Sequence, residues 1–221
     1  MIKVQRFINQ LLSSNCFIVY DDETMSSLVI DPGSEKSENE IAFIESNHLQ
    51  LDYILLTHEH ADHTWGVNSL IERYPKVKVV CSSLCRDNLP KEVRLFFQLY
   101  YDNPSKAYTL SRVDSTTEEL NWHLDWEGHK ITFIPAPGHT LGSICIAIDN
   151  VIFGGDTLIQ SKPFVRKRNG GSLIQFHDSV QKIIESYPDY TIVYPGHGHM
   201  FLLKCLLTVT HEKQSGEKDH D

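Results

Sequence analysis

The sequence predicts an α/β fold in which two β-sheets pack face to face with helices outside. Two observations predict it. Short apolar or alternating runs are followed by amphipathic stretches in each half of the chain, so β leads to α twice. The apolar runs end in loops rich in His, Asp, Gly and Pro, which places chemistry-bearing residues at strand ends in both halves. No low-complexity linker divides the 221 residues, and one domain over 1–211 is expected.

Residues 2–9, 15–20 and 26–31 read as a meander, broken at Asp21-Asp22-Glu23-Thr24 and ended by Asp31-Pro32-Gly33. Residues 37–48 carry an apolar stripe at helical spacing. A buried strand at 51–56 leads into the loop beginning at Thr57, followed by a helix over about 64–74 and a strand at Lys76–Cys81. The aromatic stretch Lys91–Tyr101 reads as a short helix packing on the core, with a lid over a cleft as the alternative. Strands follow at 130–135, 143–149 and 151–154, the last two joined through a tight Asp149-Asn150 turn. Ser172–Tyr187 is an amphipathic helix, 190–194 the final strand, and Met200–His211 a C-terminal helix. Residues 212–221 are charged and predict a frayed tail.

Hydrophobic residues make up 41% of the chain, enough for a real core. The formal charge of −9 disfavours broad nucleic-acid or membrane-surface binding. Five cysteines without a Cys-x-x-Cys, and no signal-peptide-like apolar start, fit a reducing cytoplasm. No run approaches the roughly 18 apolar residues of a membrane span. Cys81 and Cys85 are four apart, but no further ligands lie near them to complete a zinc site.

The most informative segment is Thr57-His58-Glu59-His60-Ala61-Asp62-His63. Three imidazoles and two carboxylates fall within six residues, at the end of a strand that lifts them out of the core. His and Asp are ligands of zinc and other borderline divalent metals. Two more histidines sit in Pro137-Gly138-His139-Thr140 and Pro195-Gly196-His197-Gly198. Asp156 ends the run Val151-Ile152-Phe153-Gly154-Gly155-Asp156. A surface loop that happens to hold histidines does not account for this ordered set.

These motifs, together with Leu141-Gly142-Ser143 and Thr157-Leu158, resemble the metallo-β-lactamase fold superfamily over about residues 2–200, and most nearly its glyoxalase II-like branch. The resemblance implies an αββα four-layer sandwich of two mixed sheets with the site at one edge. It implies a first metal held by His58, His60 and His139, a second held by Asp62, His63 and His197, and Asp156 bridging them. Asp156 stands where the best-known zinc β-lactamases carry Cys, which disfavours antibiotic hydrolysis. His60 stands where diiron flavoproteins of the superfamily carry a carboxylate, which disfavours that branch. Glyoxalase II proper has a further helical domain that contacts glutathione. Only about two dozen residues follow His197 here, so a glutathione thioester is not the expected substrate.

Two divalent ions roughly 3.5–4 Å apart share a water and lower its pKa from 15.7 towards about 7. The expected reaction is attack by that metal-bound hydroxide on a small ester, thioester or lactone. Asp62 serves as ligand and orients the nucleophile. Zinc is the first expectation, and iron or manganese is accepted by the same ligands. No Gly-x-Ser-x-Gly elbow offers a side-chain nucleophile. Glu59 reads as a supporting or surface residue.

Lys162, Arg166 and Arg168 lie in a basic run before Gly170-Gly171-Ser172, where Ser172 caps the following helix. The run reads either as a solvated loop or as a site for an anionic substrate. His177 and His199 are candidates for the cleft rim; His48, His123, His129, His211 and His220 read as surface or core residues. Competing functions are an iron persulfide dioxygenase, a phosphodiesterase and a non-catalytic binding protein.

Overall fold

The computed structural model describes residues 1–167 and 170–206. The expected tail at 212–221 and the expected helix beyond residue 206 lie outside the described residues.

Six strands build the first sheet, in the order β1 (Ile2–Ile8), β2 (Asn15–Asp21), β3 (Ser26–Ile30), β4 (Gln50–Leu55), β5 (Lys78–Cys81) and β6 (Ser115–Thr116). The hairpins β1–β2 and β2–β3 are antiparallel, while β3 through β6 run parallel. The second sheet contains β7 (His123–Trp126), β8 (His129–Pro135), β9 (Ile144–Ile148), β10 (Val151–Gly155), β11 (Ile192–Pro195) and β12 (Phe201–Leu202), adjacent in sequence order. Only its β10–β11 pair is parallel.

Strand periodicity assigns each residue to a layer. Phe17, Val19, Leu28 and Leu55 meet Phe133, Ile146 and Phe153 between the sheets. Their neighbours Ile18, Val29 and Ile54 face the other way, against Ile44 of α1 (Glu38–Ser46) and Leu70 of α3 (Val67–Arg73). On the far side, Cys145, Ala147 and Ile152 pack on Phe176, Val180 and Ile183 of α5 (Leu173–Ser186). The result is the expected αββα sandwich. Ser172 caps α5, its hydroxyl accepting from the Gln175 amide at 3.3 Å.

Three local readings need correction. The helix expected at Lys91–Tyr101 is α4, Ser83–Tyr101, and it runs through Pro90. An interior proline costs about 3 kcal/mol. Here Cys85, Leu89, Val93 and Phe97, spaced by four, form one buried stripe that offsets it. The helix expected at 64–74 is split at Trp65-Gly66 into α2 (Ala61–Thr64) and α3. The helix expected from Met200 begins as a strand: Phe201 and Leu202 pair with Val193 and Ile192 and finish the sheet edge. Strands β6 and β7 were not expected at all.

Candidate metal centre

The Asp and His residues of the strand-end motifs converge where both sheets finish. β4 leads into Thr57–His63, β8 into the His139 loop, β10 into Asp156 and β11 into His197. Backbone bonds tie these ends together. Ile144 N donates to Thr57 O at 2.9 Å, Gly196 N to Gly155 O at 2.7 Å and Asn15 N to Gly196 O at 2.6 Å. Asn9 and Ser14, in the β1–β2 turn, both donate to the Asp62 carbonyl. Close approach requires glycine at 196. A Cβ there would collide with Asp156 Oδ1 and lie 2.9 Å from His63 Cε1.

Two groups of potential ligands result, each with its ligand atoms within 4.8 Å of one another: His58, His60 and His139, and Asp62, His63 and His197. In the first, His60 Nδ1 lies 3.2 Å from His58 Nε2 and 3.0 Å from His139 Nε2. Nitrogens about 2.0–2.1 Å from a tetrahedral ion stand at comparable separations. In the second, Asp62 Oδ2 lies 3.4 Å from His63 Nε2 and 3.3 Å from His197 Nε2. Asp156 spans both: its Oδ2 is 3.5 Å from His139 Nε2 and from His197 Nε2, and its Oδ1 is 3.5 Å from His63 Nε2.

The ring orientations are fixed from behind. The Thr57 hydroxyl donates to Asp31 Oδ2 at 2.6 Å, so its oxygen is left to accept from His58 Nδ1–H at 2.9 Å. His139 Nδ1–H donates to the Phe164 carbonyl at 2.7 Å, and His63 Nδ1–H to Asp31 Oδ2 at 2.9 Å. Each ring therefore turns its Nε2 inward. Asp31 also forms a compact group with His58 and His63. Its oxygens, however, already accept from Thr57 N, Thr57 Oγ1 and His63, so it orients ligands. Reading Asp31-Pro32-Gly33 only as a strand end misses this role. The signal was an aspartate where an apolar strand stops beside the His loop.

Protonation follows the surroundings. Burial holds His58 well below the ordinary histidine range and His60 down to about 3, with neighbouring imidazoles adding to the effect. Burial also works against charge on His63 and His197, but Asp62 and Asp156 outweigh it and raise both. Burial opposes charge on Asp62 too, and His63 with His197 overcomes it and keeps the carboxylate ionised. Buried His63 Nε2 and Asp156 Oδ1 have no hydrogen-bond partner in the protein. Orphaned atoms facing one another within a set of imidazoles and carboxylates suit divalent cations.

The remaining candidates divide. Glu59 is buried rather than at the surface; it accepts from Thr140 Oγ1 at 2.9 Å, and burial pushes it up to about 7. Arg166 lines the cleft above His60, Asp62 and His139, whereas Lys162 is exposed and does not. Arg168 lies outside the described residues. Neither His177 nor His199 lines the cleft; His199 Nδ1 lies 3.3 Å from Arg6 Nη1. Helix α4 packs one face in the core and sets Leu95, Phe96, Leu99 and Tyr100 on the cleft wall. No helix among the described residues is long and apolar enough to cross a membrane.

The fold has counterparts of known structure. It superposes on the BLEG-1 B3 metallo-beta-lactamase with a TM-score of 0.81, at 22% identity, covering 93% of this chain and 97% of the other. For TTHA1623 in a di-iron-bound form the TM-score is 0.72 at 22% identity, with 92% and 96% covered. For ETHE1 from Myxococcus xanthus it is 0.68 at 21% identity, with 91% and 80% covered. In sequence the chain is 25% identical over 199 residues to the uncharacterized protein ML0493 of Mycobacterium leprae (strain TN), covering 86% of this chain and 88% of that protein. The metallo-beta-lactamase superfamily profile matches residues 9–197, from the turn that anchors Asp62 to the last histidine of the second group, and the chain belongs to that superfamily.

Proposed function

We propose that the protein is a binuclear metal-dependent hydrolase of the glyoxalase II-like kind, acting on a small ester, thioester or lactone. The observation that carries this reading is the position of Asp156, within 3.5 Å of imidazoles from both groups. His58, His60 and His139 would hold one ion; Asp62, His63 and His197 a second; Asp156 would join them. Ions bound there supply Lewis acidity and make water nucleophilic near neutral pH.

The chain's own residues do the rest. Asp31, Thr57 and the Phe164 carbonyl lock the imidazoles, so no reorganisation accompanies the reaction. Asp62 directs Oδ2 at His63 and His197 and lines the cleft, where its carboxylate orients the attacking water. The α4 wall keeps bulk solvent from the scissile carbonyl. Hydrolysis adds the water oxygen to the acyl carbon, breaks the bond to sulfur or oxygen, and sends the water proton to the departing thiolate or alkoxide. The donor set accepts zinc, and iron or manganese as well.

An iron persulfide dioxygenase is the second reading, favoured by the likeness of the fold to ETHE1. The complete second group of Asp62, His63 and His197 favours the hydrolase. The test is metal content by mass spectrometry on protein purified without added metal, paired with thioester, lactone and phosphodiester substrates. Two ions per chain and hydrolysis abolished by chelation support the proposal. A single iron with sulfur-dependent oxygen uptake replaces it with the dioxygenase.

A further inference from the structure

The cleft over the two ligand groups has a lopsided lining. Leu95, Phe96 and Leu99 of α4 form one apolar wall, and Leu12 and Phe164 stand at its mouth. Leu12, Leu99 and Phe164 are each more than half exposed, so this apolar surface remains uncovered. Covering such a surface is favourable. The enclosed water-accessible volume is about 60 Å³, room for a short arm rather than a fused ring system.

Among the described residues, one arginine or lysine faces this wall. Arg166 donates from Nη2 to Tyr100 Oη at 2.7 Å, and its guanidinium lies over the Phe164 ring at 4.6 Å and the Tyr100 ring at 5.8 Å. These contacts hold the plane of the fork while leaving other N–H groups open. No described carboxylate forms an ion pair with Arg166, although the chain carries a net charge of −9. Of the other exposed arginines among the described residues, Arg73 and Arg86 have such a partner and Arg94 does not. A planar cation held against aromatics at the mouth of a cleft, with no ion pair to a described carboxylate, suits a carboxylate ligand.

We propose that the cleft takes a (thio)ester or lactone whose scissile carbonyl sits at the metal groups, whose short apolar arm lies against Leu95, Phe96 and Leu99, and whose terminal carboxylate is held by Arg166. This deepens the hydrolase reading and rests on it. Tyr100 is the positioning residue, because its hydroxyl sets the fork.

The test compares thioesters of one thiol with the metal-loaded protein: glutaryl, its methyl-capped counterpart, butyryl and acetyl. Thiol release is followed for wild type, Arg166→Gln, Tyr100→Phe and, as a charge-matched control on α5, Lys182→Gln. The expected result is a kcat/KM for glutaryl at least about tenfold above the capped ester. Arg166→Gln should bring that ratio to about one, through a rise in KM for glutaryl. Tyr100→Phe should fall between, and Lys182→Gln should match wild type. Butyryl should exceed acetyl through the apolar wall. Equal rates for glutaryl and its capped form, or a preference that survives Arg166→Gln, overturn the proposal.

A binding measurement separates this from the hydrolase reading. Titration calorimetry of 4-phenylbutyrate against 4-phenylbutanamide should show a carboxylate preference that Arg166→Gln removes. That preference without turnover of any thioester, ester or lactone overturns the reaction and keeps the carboxylate site. Turnover without the preference overturns the carboxylate site and keeps the reaction.

Discussion

Asp31 Oδ2 accepts a hydrogen bond from His63 Nδ1–H at 2.9 Å, and both side chains are buried. The same oxygen accepts from the Thr57 hydroxyl that receives His58 Nδ1–H. One carboxylate thus orients an imidazole in each ligand group. Asp31→Ala should lower affinity for both ions, by about 10–100-fold for each. Competitive titration against a chromogenic chelator measures this, and unchanged affinity at both sites removes Asp31 from the support.

Asp156→Ala should weaken the whole centre, because it deletes the group within reach of both sets. His48→Ala, remote from the motifs, should leave metal content unchanged. Mass spectrometry of the purified variants gives the answer; two tightly held ions in Asp156→Ala contradict the bridging role.

The two groups should load with different proton stoichiometry. His58 and His60 are held neutral, so the first ion should bind with little proton release from either. His63 and His197 have raised pKa values, so the metal-free protein holds protons there that an incoming second ion must displace. Affinity for the second ion should therefore fall as pH falls, and the first should be retained to lower pH. Calorimetry in buffers of different ionisation enthalpy reads the protons directly. Equal release for both ions contradicts the difference.

Gly196→Ala should disturb the centre more than the fold. The added Cβ meets Asp156 Oδ1, His63 Cε1 and, of the β10–β11 pair, only the backbone of its last residue, Gly155. Metal content should drop, and the far-UV spectrum should stay as in wild type. Wild-type metal affinity in this variant places the glycine requirement elsewhere.

The fold and the converging residues were legible because their signals are local. Apolar runs at 51–56 and 151–154 each end at a candidate ligand, so strand placement and site placement came from the same residues. Asp31 was missed because its role depends on partners 26 and 32 positions away, Thr57 and His63. The first half of α4 was missed because Pro90 normally stops a helix, while the stripe Cys85-Leu89-Val93-Phe97 acts only through tertiary packing. Strand β12 was missed because two paired residues leave no periodicity to read. The division between Lys162 and Arg166 was invisible for a similar reason, since loop direction is set by contacts such as Arg166 with Tyr100.

The order of the ligands along the chain sets the order in which they become available during synthesis. His58, His60 and His139 are all translated before residue 140, whereas the second group waits for His197. An emerging chain therefore contains a complete first set while the second still lacks a member. The bridge between Ser14 and His197 then joins an early turn to a late one. Closing the centre is a long-range event, slow by the same topology that makes parallel pairings slow. If the two groups hold ions as proposed, the first can be filled before the second is complete.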